Sequence, residues 1–349
     1  MSGKKIVLLK KRDEPQQTLK EEKKEVLNLA PSNLDILREQ SKRIELFSND
    51  YNVKGNALRI NPDLDLYSSN MGCLPMSPFA LSQLCNKIGV PVRYINKCIE
   101  TGRLDLAHDN LCSWLEDYKT PTLIREYKGH VRGVLTSKYS VCDTQEIIRV
   151  VDDVLDMNNY NIKGFFLNEE RFHLRLVSKD MLPISGEDLF AGITIDSSDV
   201  GRSPIVVTFF IYKQVCTNGL MIAKNNELLF HQKHIGITAE ELHESLVASL
   251  KNIEYLTEQT VERIQLTRQR YNHWSSTSEH PEDIQEFANH IRQQTNLSMD
   301  SANKVIDLMN TKYEDTRWGM INAITEVAQD FSLERRIELE RIAGSLLVA

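Results

Sequence analysis

The spacing of hydrophobic and polar positions changes character along the chain, and each change marks a boundary. Residues 1–30 mix lysine and glutamate clusters (KKRDE, KEEKKE) with few large apolar residues after Leu9, the pattern of a flexible charged tail. From 31 to 118 the spacing is helical. Residues 33–47 read as a short helix and residues 78–118 as several more, with a break at Gly89-Val90-Pro91. Residues 119–236 shift mostly to a period of two. Residues 123–135 alternate, residues 143–156 insert a helix behind an Asp143 cap, residues 160–177 alternate around an Asn168-Glu169 turn, and residues 205–215 form a long β-type run. Residues 237–349 return to helical spacing. Thr238 caps a long helix with Leu242, Leu246, Leu250, Ile253, Leu256, Val261 and Ile264 on one stripe. A polar break at 273–283 precedes helices near 284–294, 300–313 and 316–346. These elements predict an α+β protein: a mainly antiparallel central sheet, a helical N-terminal region, and a helical C-terminal region packed against the sheet or used for self-association.

The polar faces of the middle strands carry the clearest candidate chemistry. Residues two apart on a strand share a face, so Lys128, His130 and Arg132 form one ladder and Arg171, His173 and Arg175 another. If the two strands are neighbours, these residues with Arg202, Lys213, Lys233 and His234 form a basic face for a phosphate backbone. Tyr127, Tyr139 and Phe166 would offer planes for bases. The other reading is a solvated face balanced by Glu126, Glu169 and Glu170. Residues 84–98, LCNKIGVPVRYINKC, have helix-turn-helix spacing, with Cys85, Ile95 and Cys98 inward and Arg93, Asn96 and Lys97 outward. Two helices packed around a glycine also occur in helical domains that bind nothing.

Catalytic and metal signals are weak. His231 and His234 make an HxxH spacing without the Glu or helical frame of a metalloprotease. Cys216 precedes Thr217-Asn218-Gly219 without an identifiable partner His. Asp152, Asp153 and Asp156 share a helix with no second carboxylate group directed at them. No Walker or dinucleotide glycine pattern is present, so no cofactor, catalytic or metal site is expected. The six cysteines form no CxxC pair and read as buried thiols. A formal charge of -7 gives no overall attraction to nucleic acid, leaving a local basic groove as the source of any such contact. There is no apolar run of about 18 residues and no signal-like segment near Met1, so a cytoplasmic protein away from membranes is expected.

Residues 196–219, DSSDVGRSPIVVTFFIYKQVCTNG, join two glycine turns through one strand. With residues 81–115 (containing LCNKIGVPVRYI and NLCSWL) and residues 316–328 (TRWGMINAITEVA), they resemble the phage/plasmid-like protein family, catalogued as a domain of unknown function. The resemblance implies a mobile-element setting and a bacterial host cytoplasm. It implies no settled activity. Three functional classes therefore stay open. One is a non-enzymatic nucleic-acid-associated protein, binding or annealing single strands as a homo-oligomer. Another is an interaction factor that sequesters a host or phage protein, such as a defence component, through the leucine stripe. The third is an enzyme centred on Cys216 or on His231 and His234. Small Gly319 and Ala323 with bulky Trp318 are expected to support a close helix crossing.

Overall fold

The computed structural model describes residues 34–184, 186, 188–213, 218–220, 228–268 and 281–347. The predicted tail at 1–30, Cys216 and most of the polar break lie outside them. Helix α1 (Leu34–Leu46) leads into strand β1 (Ser48–Val53) and a small antiparallel sheet of β2 (Arg59–Ile60), β3 (Leu66–Ser68) and β4 (Gly72–Leu74). These short strands were not apparent in the helical spacing of residues 31–118. Helices α2 (Pro78–Ile88), α3 (Val92–Glu100) and α4 (Leu104–Glu116) follow, and the β5–β6 hairpin (Thr122–Tyr127, His130–Thr136) pairs antiparallel with β1. Ile124, Val131 and Val134 of the hairpin pack with Leu84, Ile95 and Leu111 of the helices into one core.

The larger sheet runs in the order β11-β10-β9-β8-β7, with β12 also on β10, and every pairing is antiparallel. Its strands are β7 (Tyr160–Leu167), β8 (Phe172–Met181), β9 (Leu189–Ser197), β10 (Ile205–Lys213), β11 (Asn218–Leu220) and β12 (Leu228–Gln232). Alternation gives it one apolar face. Phe172, Leu174, Ile193, Ile195, Val207 and Phe209 enter a second core with α5 (Thr144–Val154) and the C-terminal helices. Those helices are α6 (Ala239–Lys251), α7 (Ile253–Thr267), α8 (Pro281–Thr295), α9 (Met299–Thr311), α10 (Arg317–Val327) and α11 (Leu333–Ser345). The fold is α+β, as the alternation and helical spacing imply.

Three local expectations change. The long helix after Thr238 divides at Asn252, although Thr238 does form a capping box with Glu241. Its stripe is internal: Leu242, Leu246, Leu250, Ile253 and Ile264 are buried in the chain's own core, which removes the surface expected for partner docking. Gly319 does not serve a helix crossing, because a Cβ there would lie 1.9 Å from the Glu314 carbonyl oxygen. The glycine lets the preceding turn fold tightly under α10, while Trp318 beside it is buried.

Candidate nucleic-acid interface

The two basic ladders fall in different sheets and meet at the β7–β8 turn. Alternation does not continue through 123–135, because Lys128 and Gly129 form a two-residue hairpin turn with φ values of 49° and 80°. Lys128 therefore sits in the turn, its ammonium 4.9 Å from the Tyr127 ring centre and 5.5 Å from that of Phe47. His130 Nε2 lies 2.6 Å from Glu169 Oε2. Arg132 is buried, donates to the Glu169 carbonyl at 3.3 Å and lies 3.6 Å from Asp199 Oδ2. On β8, His173 Nδ1 lies 2.8 Å from Asp196 Oδ1, and Arg171, in the turn just before the strand, is exposed. The Arg175 guanidinium stacks 4.4 Å from the Phe210 ring centre, and burial holds it below the ordinary guanidinium range despite Glu340 of α11 nearby. Arg202 pairs with Glu170 and lies over Phe79. The Lys213 backbone pairs with Leu189 and Asn218. Carboxylates and burial thus neutralise much of this face.

A residue that the alternation did not single out, Arg125, forms the centre of the buried charge. Its Nε donates to Asp50 at 2.9 Å, and its Nη1 and Nη2 reach the two Asp143 oxygens at 2.6 and 3.0 Å. Nη1 also donates to the Asp199 carbonyl at 2.7 Å. Burial would lower this guanidinium's pKa, but Asp143 and Asp50 more than offset it and leave it raised. Asp143 is consequently not the side-chain cap expected for α5. Asp199 takes that part from across the fold, with Oδ1 accepting from both the backbone N–H and the hydroxyl of Thr144 at 2.9 Å. Its own pKa is raised by burial and by Asp143, against the pull of Arg132 and Arg125. Gln83 adds a neutral tie by donating to the Val200 carbonyl and accepting from Val134 N–H, both at 2.8 Å. The DSSDVG loop therefore fastens the β1–β5–β6 sheet and α2 to α5 and the larger sheet. Only its turn was visible in the sequence.

The residues weighed for catalysis do not converge. His231 is exposed on β12, whereas His234 is buried and stacked on Tyr139 at 4.8 Å between ring centres. Asp152 pairs with Arg38, and Asp156 accepts from Asn158 N–H at 3.0 Å. Among the described residues, no group of three or more His, Cys, Asp or Glu is placed to hold a metal. A cleft of about 440 Å³ brings Cys142, His243 and Glu146 together, with the imidazole 3.0 Å from the carboxylate. Burial and the charges of Asp143 and Glu146 push the thiol up to about 12, so it stays protonated at neutral pH and is a poor nucleophile.

The helix-turn-helix expectation places its residues as read. Gly89 closes α2 in the left-handed region (φ 78°), Ser77 caps its start, and Cys85, Ile95 and Cys98 are buried. Arg93, Tyr94, Asn96 and Lys97 stand exposed on α3. Neither Arg93 nor Lys97 forms an ion pair with a described residue. Tyr94 accepts from Asn110 Nδ2 of α4 at 3.1 Å, joining the exposed faces of the two helices.

Fold and site together define an α+β protein in which two antiparallel sheets are tied by buried charge, and two cations on a helical face have no ion-pair partner among the described residues. A family described as a domain of unknown function (DUF932) matches residues 131–344, more than half of the chain, and the chain belongs to that family. The match covers the DSSDVG loop and α10 but not α2–α4, so the resemblance noted for residues 81–115 falls outside it. No curated protein and no solved structure matches the chain significantly.

Proposed function

We propose that this is a non-enzymatic, nucleic-acid-associated protein that acts in the cytoplasm of a bacterial host, in the phage or mobile-element setting implied by the resemblance. The observation that carries the reading is the contrast between two basic surfaces. On the sheets, His130, His173 and Arg202 already face carboxylates, and Arg132 is buried. A phosphate would have to displace those partners. On α3, Arg93 and Lys97 lie one helical turn apart with no such partner. Their charges stay available to phosphates, which supports a contact there. Among the described residues, no helix is long and apolar enough to cross a membrane.

Titrating binding to labelled oligonucleotides against salt tests the proposal. Arg93→Gln with Lys97→Gln is expected to reduce the slope of log affinity against log salt by roughly 0.7–0.9 per lost phosphate contact. Lys128→Gln with Arg171→Gln provides the comparison on the sheets. Arg132 and Arg175 are unsuitable there, because replacing either disturbs buried charge or packing. Binding that is insensitive to the α3 pair but abolished by the sheet pair would move the interface to the β5–β6 and β7–β8 turns. Absence of binding at low salt would reject the proposal.

A further inference from the structure

We propose that the α3–α4 face selects single-stranded nucleic acid, with Trp114 and Tyr94 as stacking platforms beside Arg93 and Lys97. This rests on the nucleic-acid reading above and specifies the class of strand.

The argument begins with exposure. Trp114 is 54% exposed and Tyr94 36%, although an indole ordinarily hides most of its area. Both stand on a surface held together by side chains: Asn110, which donates to Tyr94, lies one turn from Trp114 on one side and from Leu106 (42% exposed) on the other. Tyr94, in turn, lies three residues before Lys97 on α3, and Lys97 lies one turn after Arg93. Rings and cations therefore share one face. Exposed Arg103, at the start of α4, adds positive charge, while exposed Glu100, three residues after Lys97, and Asp117, three after Trp114, add negative charge beside it.

The chemistry of this combination decides the ligand. Phosphates are accessible on duplex and single strands alike, so cations alone do not distinguish them. Base faces are covered by their neighbours in a duplex and become available to a protein ring only when a strand is unpaired and unstacked. An exposed indole beside unpaired cations thus matches a single strand, with phosphates on Arg93 and Lys97 and a base on Trp114. An apolar protein partner would cover Trp114 and Leu106 as well, but it would leave both cations without counter-charges.

The full-length chain is tested with a labelled oligothymidylate and a duplex of equal length, each titrated over the same salt range. Trp114→Ala is expected to weaken single-strand binding about 5- to 150-fold, the equivalent of one base stack worth about 1–3 kcal/mol. Duplex binding should barely change, and Trp114→Phe should recover most of the loss. The indole is largely exposed, so Trp114→Ala should unfold at the wild-type temperature, and thermal unfolding confirms this separately. Unchanged single-strand affinity in Trp114→Ala, with loss in Arg93→Gln/Lys97→Gln, would overturn the stacking site while leaving the nucleic-acid reading in place. No binding to either oligonucleotide would overturn both. A Trp114→Ala protein whose only change is a lower mass in solution would overturn the stacking site alone and assign the indole to a protein contact.

Discussion

Removing the Asp199 carboxylate should unfold the chain at markedly lower temperature, whereas removing that of Asp196, three residues earlier at the end of β9, should barely matter. Asp199 is buried, caps Thr144 through two hydrogen bonds and neutralises Arg132, whose side chain is 1% exposed. Asp199→Ala leaves that guanidinium buried without its nearest carboxylate, and breaking a buried pair from one side costs about 3–5 kcal/mol. The uncapped Thr144 N–H belongs to the same loss and is not added to it. At about 2–4 °C per kcal/mol for a large domain, the midpoint should fall by roughly 6–20 °C. Asp196 is 48% exposed and its partner His173 is 36% exposed, so solvent screens the pair and Asp196→Ala should cost about 0–1 kcal/mol. Thermal unfolding followed by circular dichroism reads both variants. Adding Arg132→Met to Asp199→Ala should recover part of the loss, because an apolar side chain tolerates the site that an orphaned cation does not. Equal losses for the two aspartates, or no coupling between Asp199 and Arg132 in the double-mutant cycle, would refute the assignment of the loop as a charged fastening.

The remaining predictions concern protonation and packing. His234 is held below its ordinary pKa of 6.5 by burial, so the unfolded chain takes up its proton first; stability should be full above about pH 6.5 and fall as the pH drops toward the folded-state value. His234→Phe, which can retain the stack on Tyr139, should flatten urea midpoints over that window, and parallel pH profiles for the two proteins would contradict the assignment. Trp318→Ala should destabilise by about 3–5 kcal/mol by emptying a buried site, and near-wild-type denaturant midpoints would contradict its place in the core. Gly319→Ala should cost at least about 1–3 kcal/mol because its methyl group meets the Glu314 carbonyl, a loss that thermal melts will measure. Cys142 should resist iodoacetamide in the native state near pH 8 and react after unfolding, since its thiol is buried and pushed up to about 12.

What was legible in the sequence was local. Alternation in 160–177 located β7, β8 and the turn between them, and the apolar positions around Gly89 located α2 and α3 with their inward and outward sides. Both follow from residues within a few positions of one another. The fate of the charged faces does not. A period of two says that His130 and Arg132 share a face, but the contacts of that face come from Glu169 and Asp199, dozens of residues away. Likewise, the β8 face carrying Arg175 is read as wet until Phe210 and α11 are placed against it. The hairpin at Lys128-Gly129 was missed because hydrophobic alternation persists on both sides of a two-residue turn, although the glycine with its positive φ was a signal for it.

This difference between near and distant information also reassigns the family motif. As a string, DSSDVG is a glycine turn entering a strand, and its aspartates look equivalent. In the fold, Asp196 meets a partly exposed histidine, while Asp199 reaches the start of α5 and the buried Arg132, and Val200 accepts from Gln83 of α2. The spacing in this chain is thus accounted for by stability: one short loop satisfies a helix N-terminus, neutralises a buried cation and anchors the neighbouring helix at once. The proposed binding surface lies instead where Arg93 and Lys97 have no ion-pair partner among the described residues, with the rings of Tyr94 and Trp114 nearby. If the proposal holds, the matched region serves as frame and the helices before it as the binding face, so the α3–α4 variants should lose binding with their melting temperature unchanged while the Asp199 variant loses melting temperature first.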